Sequence, residues 1–114
     1  MICAVERRAY MDKYLKLCFH LFRMRETLAA ADEALQKDTS IETQLKHAMA
    51  VANYEFAVRV HADFYEDLEE ELRTGVDMLH KELSESKDMS APLSERGYLA
   101  GRMAFRLGLF RSHE

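Results

Sequence analysis

The scarcity of turn-forming residues constrains this chain most strongly. Its 114 residues include only 4 glycines and 1 proline, the residues that best supply the unusual or fixed φ angles of tight turns. Much of the remainder is alanine, leucine, glutamate, lysine, arginine and methionine, which favour helix. The sequence therefore predicts an all-α protein of one domain, residues 1–114. We expect an elongated three- or four-helix bundle with two long antiparallel helices and a C-terminal helix.

A heptad pattern predicts a first helix from about Val5 to about Gln36. Apolar residues alternate at spacings of four and three along this segment, as in a coiled coil. Helices of unequal length would leave apolar stripes exposed in a monomer, so we expect this seam to be the interface of a homodimer. The dimer seam comprises Tyr10, Tyr14, Leu17, Leu21, Met24, Leu28, Ala31 and Leu35.

A second helix is predicted to start near Ser40. Thr39 and Glu42 have the spacing of a capping box, in which a hydroxyl and a carboxylate satisfy free amides of the first turn. Apolar residues then follow mostly at spacings of four, so that the stripe drifts around the helix and suits partners on changing sides. This stripe comprises Leu45, Met49, Ala52, Phe56, Val60, Phe64, Leu68 and Leu72.

Gly75 leaves two alternatives open for the end of the second helix. Either the helix continues to about Leu83, or it breaks at Gly75 and residues 76–83 form a short third helix. A break would fold the chain into a four-helix bundle and would compete with the dimer as a way to cover the apolar stripes.

The last helix carries a seam of small residues. Residues 84–90 are predicted to form a loop, and Pro92 then opens a helix that runs to about Phe110. A seam of small residues allows a second helix to approach closely, and we expect Phe19 and Phe22 of the first helix to fill the groove beside it. The small residues are Gly97, Gly101, Ala104 and Gly108.

Charge is segregated along the chain. Residues 38–90 hold 5 basic and 13 acidic residues, a net charge of 5 − 13 = −8, between segments that are mildly basic. Within this segment an acidic stripe of four residues lies on one helix face. It predicts a docking surface for a basic partner, because complementary charge speeds encounter. The acidic stripe comprises Asp63, Glu66, Asp67 and Glu70.

We therefore expect a non-enzymatic interaction protein, a small acidic inhibitor or adaptor that occupies a basic surface of a protein partner. The alternative is a nucleic-acid-binding protein that uses the basic C-terminal helix together with Arg7 and Arg8, because arginines bind phosphates. The basic helix comprises Arg102, Arg106 and Arg111.

A third alternative is an enzyme. Glu66-x-x-Glu69 and Glu85-x-x-Asp88 resemble, in spacing, the paired carboxylates of MazG-like nucleotide pyrophosphohydrolases. The resemblance covers four residues and implies Mg²⁺ held on helix carboxylates. The second pair falls in the predicted loop, whereas such a site requires rigid helices. We therefore expect no catalytic residue, metal or cofactor, and we interpret His61 as a core histidine with a hydrogen-bond partner.

Composition also predicts where the protein works. Two cysteines, Cys3 and Cys18, are too few for a disulfide framework, and we expect both thiols to be free in a reducing compartment. The most apolar stretch, residues 14–24, is short and interrupted by charge, so no membrane span is expected. The cytoplasm is the predicted location.

Overall fold

The computed structural model describes residues 3–83 and 90–109, and all of its regular structure is helical. The described residues contain no strand, so the predicted all-α bundle with two long helices is confirmed. The molecule is elongated, with extents of 55 × 31 × 24 Å. Its helices are α1 (Ala4–Lys37), α2 (Ile41–Asp67), α3 (Glu70–Leu83) and α4 (Leu93–Arg106).

A tight turn joins α1 and α2 into an antiparallel hairpin. The Ser40 hydroxyl accepts a hydrogen bond from the Thr43 amide at 3.3 Å, which makes Ser40 the N-cap of α2. The Asp38 carboxylate in turn accepts from the Ser40 amide, and these hydrogen bonds hold the pKa of Asp38 below its usual value. The predicted capping box of Thr39 and Glu42 is therefore wrong, because the cap lies one residue later.

The second helix ends at Asp67, well before Gly75. A short third helix that ends at Leu83 is confirmed, but the predicted position of the break, Gly75, is wrong. Leu68 is extended, with φ −71° and ψ 143°, and the Arg73 guanidinium donates to the carbonyls of Glu66 and Leu68 at 2.9 Å. These bonds satisfy carbonyls left free at the helix end. Gly75 lies inside α3, where a Cβ atom would make an ordinary contact of 3.5 Å with Met11.

The break after Asp67 folds α3 back against α1. Val76 of α3 becomes fully buried against Tyr14 and Cys18 of α1. Burial of such side chains contributes about 25 cal/mol per Å² of apolar surface. The main core cluster comprises Tyr14, Cys18, Leu68, Leu72, Val76 and Ala100.

Glycines bring α4 very close to α1. A Cβ atom at Gly101 would lie 2.1 Å from the Cys18 carbonyl oxygen, so only glycine fits at this crossing. Phe22 lies beside this crossing, with its Cβ 3.0 Å from the same position, and the rings of Phe19 and Phe22 contact Phe105 at centroid distances of 6.0 and 5.5 Å. The close approach at the small-residue seam is confirmed, with Phe22 beside Gly101. Gly97 is covered instead by His61 and Leu21, and Phe19 contacts Phe105 of α4.

The fourth helix ends earlier than predicted. Gly108 has φ +69°, and the amides of Gly108 and Leu109 bond to the carbonyls of Phe105 and Ala104. This pattern is the Schellman motif, which closes a helix at a left-handed glycine. Gly108 is therefore a helix stop rather than a member of the seam, and the predicted end at Phe110 is wrong. Most of the predicted loop, residues 84–89, lies outside the described residues.

In the described part of the chain, no helix combines the length and the apolar character that crossing a bilayer requires.

Candidate functional site

A buried polar cluster lies where α1, α2 and α3 meet. The Tyr14 hydroxyl is 2.5 Å from Nε2 of His80 and 2.8 Å from Nε2 of His61. The Cys18 sulfur lies 3.6 Å from the same His61 nitrogen. All four residues have 0% exposed surface. We call them the buried cluster: Tyr14, Cys18, His61 and His80.

The hydrogen bonds of this cluster fix different roles for its two histidines. A tyrosine hydroxyl carries one proton, so it can donate to only one imidazole and must accept from the other. Nδ1 of His61 and Nδ1 of His80 are both buried without a hydrogen-bond partner. The cluster is therefore polar, connected and incompletely satisfied, which makes it costly relative to an apolar core.

Electrostatics keep both histidines neutral. Desolvation, followed by the neighbouring His80 and Arg96, lowers the pKa of His61 to about 4. Desolvation also lowers the pKa of His80 to about 4, with Arg96 acting in the same direction and Asp77 against it. Burial raises the pKa of Tyr14 above its usual range.

The thiol of the buried cluster is also held in its neutral form. Burial raises the pKa of Cys18 to about 12, whereas a reactive cysteine needs a thiolate and access to solvent. Within residues 3–83 and 90–109, no three histidine, cysteine or acidic side chains are placed to hold a metal ion. The buried cluster is therefore a polar part of the core that is closed to solvent.

The α1 seam is largely occupied within the single chain. Tyr14 and Leu21 have no exposed surface, and Leu17, Met24 and Leu28 are half-buried. Only Tyr10, at 42% exposure, retains a large accessible surface. Most of the predicted dimer seam is therefore covered by the chain's own helices. The homodimer itself remains a prediction.

The outward side of α2 is apolar over its first four turns. Ile41 is 75% exposed, Leu45 61%, Met49 65% and Phe56 64%. These residues point away from α1, whereas the small residues Ala50 and Ala57 are buried against it. We call the exposed set the outer apolar face: Ile41, Leu45, Ala48, Met49, Ala52 and Phe56.

Farther along the same side, α2 becomes acidic. Leu45 and Asp63 are separated by five ideal helical turns and therefore point in the same direction. The predicted acidic stripe is exposed, but it spans two helices because Glu70 belongs to α3. The break between the helices adds Glu69 and Glu71. We call this surface the acidic corner: Asp63, Glu66, Asp67, Glu69, Glu70 and Glu71.

The predicted basic residues are only partly brought together. The Arg7 guanidinium is paired with the Glu71 carboxylate, and Arg102 lies over the Tyr98 ring, 5.8 Å from its centroid. Arg106 is exposed, and Arg111 lies outside the described residues. Arg7 is thus held beside an acid.

The carboxylates of the resemblance to nucleotide pyrophosphohydrolases can be placed only in part. Glu66 and Glu69 are exposed at the α2–α3 junction, and Glu69 lies between the two helices. Glu85 and Asp88 lie outside the described residues. The described pair therefore lacks the helical support that the resemblance requires.

Comparison of the chain with protein-family models, with curated proteins and with solved structures found no match. Functional inference consequently depends on the arrangement of this chain's own surfaces.

Sequence reasoning found parts of these sites and missed others. The interpretation of His61 as a core histidine with a partner is confirmed, because it bonds to Tyr14. The meeting of Tyr14 with His80, 66 residues away, has no local sequence signal. The outer apolar face belongs to the apolar stripe of the second helix, which the spacing alone predicted to pack against partners on changing sides. Its only signal is that the residues facing α1 form a second, smaller stripe on the same helix.

Proposed function

We propose that the protein is a non-enzymatic interaction protein, a small inhibitor or adaptor that docks its acidic corner on a basic surface of a protein partner. The observation that carries this proposal is the concentration of charge at the α2–α3 junction. Six of the nine residues from 63 to 71 are acidic, and all six are exposed. Among the described residues, ion pairing at this corner involves only Glu71, with Arg7.

Two of these charges are placed against helix stability. The C-terminal end of a helix carries partial negative charge, so an acidic side chain there costs about 0.3–1 kcal/mol. Glu66 and Asp67 occupy the last turn of α2, which has no basic residue. Glu70 and Glu71, by contrast, lie in the first turn of α3, where negative charge is favourable. A role in binding a cation-rich surface would account for the two carboxylates that oppose the helix.

The junction also presents its charges on a fixed support. Arg73 ties α3 to the last carbonyls of α2, and Leu68 and Leu72 anchor the corner in the core. A rigid array of like charges focuses the electrostatic potential and steers a basic partner into contact. Binding would block the partner by covering its functional surface, with no covalent chemistry.

Charge reversal provides the test. The triple variant Asp63→Lys, Asp67→Lys and Glu70→Lys should lose the proteins that the parent chain captures from a cell lysate, as measured by quantitative mass spectrometry. Capture by the parent chain should weaken as salt rises, because exposed charges are screened.

The matched control reverses the same number of exposed acids elsewhere. Asp12→Lys, Glu33→Lys and Glu82→Lys change the net charge equally but leave the acidic corner intact. This control should capture the same basic proteins as the parent. Equal capture by the parent and the corner variant would refute the proposal, and equal loss in both variants would show that only net charge matters.

A further inference from the structure

The outer apolar face is the largest feature of the molecule that the acidic corner does not explain. Four large apolar side chains on it are between 61% and 75% exposed. Together they expose roughly 400–500 Å², within the range of the largest apolar patch on an ordinary monomer. Such largest patches are often functional, so this face is a candidate interaction surface.

The neighbouring helices do not cover this region. In the described residues, the hydrogen bonds, ion pairs and aromatic contacts that α3 and α4 make with α1 lie between residues 7 and 26. Beyond them, residues 27–56 form a two-helix hairpin end. Two helices alone cannot enclose a core, and the usual completion is a bundle with further helices.

The spacing of the outer apolar face is symmetric. Its residue numbers map onto one another when each is subtracted from 97: Ile41 pairs with Phe56, Leu45 with Ala52, and Ala48 with Met49. An antiparallel pair of α2 helices related by a twofold axis between residues 48 and 49 therefore places every apolar residue opposite another. A self-complementary patch of this kind is what a twofold interface requires.

The alignment keeps the acidic corner outside the paired segment. The outer apolar face ends at Phe56, whereas the acids of the corner begin at Asp63, farther along α2. The twofold arrangement thus joins apolar residues to apolar residues and leaves the two acidic corners at opposite ends.

The area fits a weak dimer. The four large side chains would bury roughly 800–1,000 Å² in total over two copies, close to the ~1,000 Å² that a specific interface needs. Met49 also forms one wall of an open cavity of about 470 Å³ between α1 and α2, lined by Ala30, Ala31, Ala34 and Ala50. This cavity extends the apolar surface sideways from the outer apolar face.

We propose that a second copy of this chain covers the outer apolar face, so that the two hairpin ends form an antiparallel dimer about α2. This dimer uses a different surface from the α1 seam, and it is independent of the docking role of the acidic corner. The acidic corners remain free at the two ends of the dimer.

Solution mass tests the proposal directly. Sedimentation equilibrium of the full chain from 1 to 200 µM should give twice the chain mass of 13.3 kDa at the upper concentrations. Leu45→Lys and Phe56→Lys should each raise the dimer dissociation constant at least ~30-fold, because every dimer loses two copies of an apolar contact. Circular dichroism should show that helix content is retained.

Met78→Lys is the matched control. Met78 is a large apolar residue, 58% exposed, but it lies on α3 away from the face, and its variant should dimerise like the parent. A parent chain that stays monomeric to 200 µM would overturn the proposal. So would a dimer that Leu45→Lys and Phe56→Lys leave intact, because the chain would then pair through another surface.

Cross-linking tests the register. In a Cys3→Ser background, which removes the exposed native thiol, Ala48→Cys lies next to the twofold axis and should be joined to its copy by a short bismaleimide. Ala29→Cys, exposed on α1, should not. Equal yields from the two variants would reject the antiparallel alignment. The triple reversal of the acidic corner should leave both mass and cross-linking unchanged, which separates this proposal from the docking role.

Discussion

The two sides of α2 have exchanged the usual positions of polar and apolar residues. The side that faces α1 and α3 buries His61, which bonds to Tyr14 and shares it with His80. The side that faces solvent carries Leu45 and Phe56. Since burial of apolar surface drives folding, a helix with this distribution is not optimised for the stability of a single chain. Its composition is explained by what each side contacts.

The contrast also separates two kinds of cost. The buried cluster costs desolvation inside the chain, and close helix packing around it must supply compensating contacts. The outer apolar face costs exposure to water, which contacts with a second copy of the chain would offset if the proposed dimer forms. Substitutions in the buried cluster should therefore change the unfolding free energy of the monomer strongly. Substitutions on the outer apolar face should change it weakly.

The largest effect is expected where α4 closes over the core. Gly101→Ala places a Cβ 2.1 Å from the Cys18 carbonyl oxygen, so α4 must move away from α1, and we expect a loss of about 3 kcal/mol in the free energy of unfolding. Urea denaturation measures it. Gly75→Ala is the matched control, because its Cβ meets only Met11 at 3.5 Å. This control should gain up to about 1 kcal/mol, since alanine favours a helix interior. A neutral result for Gly101→Ala would show that the crossing is loose.

Acid should destabilise the protein through the buried cluster. His61 and His80 have pKa values lowered to about 4, against about 6.5 in an unfolded chain. The unfolded state therefore binds more protons between these values, and stability present above pH 6.5 is lost as the pH falls toward 4. We expect on the order of 2 kcal/mol per histidine over this range. Denaturation midpoints at pH 7, 6, 5 and 4 would show it.

The double variant His61→Gln and His80→Gln isolates this contribution from that of the surface carboxylates. It should start from a lower stability at pH 7 but lose less on acidification. His47→Gln, outside the cluster, should retain the steep profile of the parent. Identical pH profiles for the parent and the double variant would show that the buried histidines do not control acid sensitivity.

Removal of the hydroxyl that the two histidines share should cost about 2 kcal/mol. Tyr14→Phe leaves Nε2 of both His61 and His80 without this partner in a buried site, and unsatisfied buried polar groups typically cost about 1–3 kcal/mol. Tyr10→Phe changes the same atom at a residue that is 42% exposed. It should stay within about 0.5 kcal/mol of the parent. Urea denaturation compares the two, and equal losses would contradict a special role for Tyr14.

The sequence predicted regular elements better than their junctions. The heptad pattern placed α1 within one residue at each end, because local periodicity determines a long helix. The break at Leu68 was missed, since its cause is the Arg73 side chain, which caps the carbonyls of Glu66 and Leu68. Gly75 attracted attention as a weak helix former, but α3 continues through it, and a Cβ atom there would make only an ordinary contact with Met11. Propensity indicates where a helix is weak and does not show which contacts form there.

The candidate sites were predictable only where they are local. The acids of the stripe lie within eight consecutive residues, 63–70, and were therefore visible before the fold was known, although the structure divides them between α2 and α3. The buried cluster joins residues 14, 18, 61 and 80, which no spacing rule connects. The outer apolar face was visible as a stripe, but periodicity alone does not reveal which of two stripes on a helix faces the core.

The smallest effect, and the sharpest test of the contrast, is expected on the outer apolar face. Phe56→Ser removes an aromatic side chain that is 64% exposed, so the unfolding free energy of the monomer should change by less than about 0.5 kcal/mol. If a second chain covers this face, the same variant should lose more stability at 100 µM than at 1 µM, because association stabilises the folded state by mass action. Urea denaturation at the two concentrations separates the stability of the monomer from the stabilisation by association. A large loss that is independent of concentration would mean that Phe56 packs within its own chain, and the distinction between the two sides of α2 would fail.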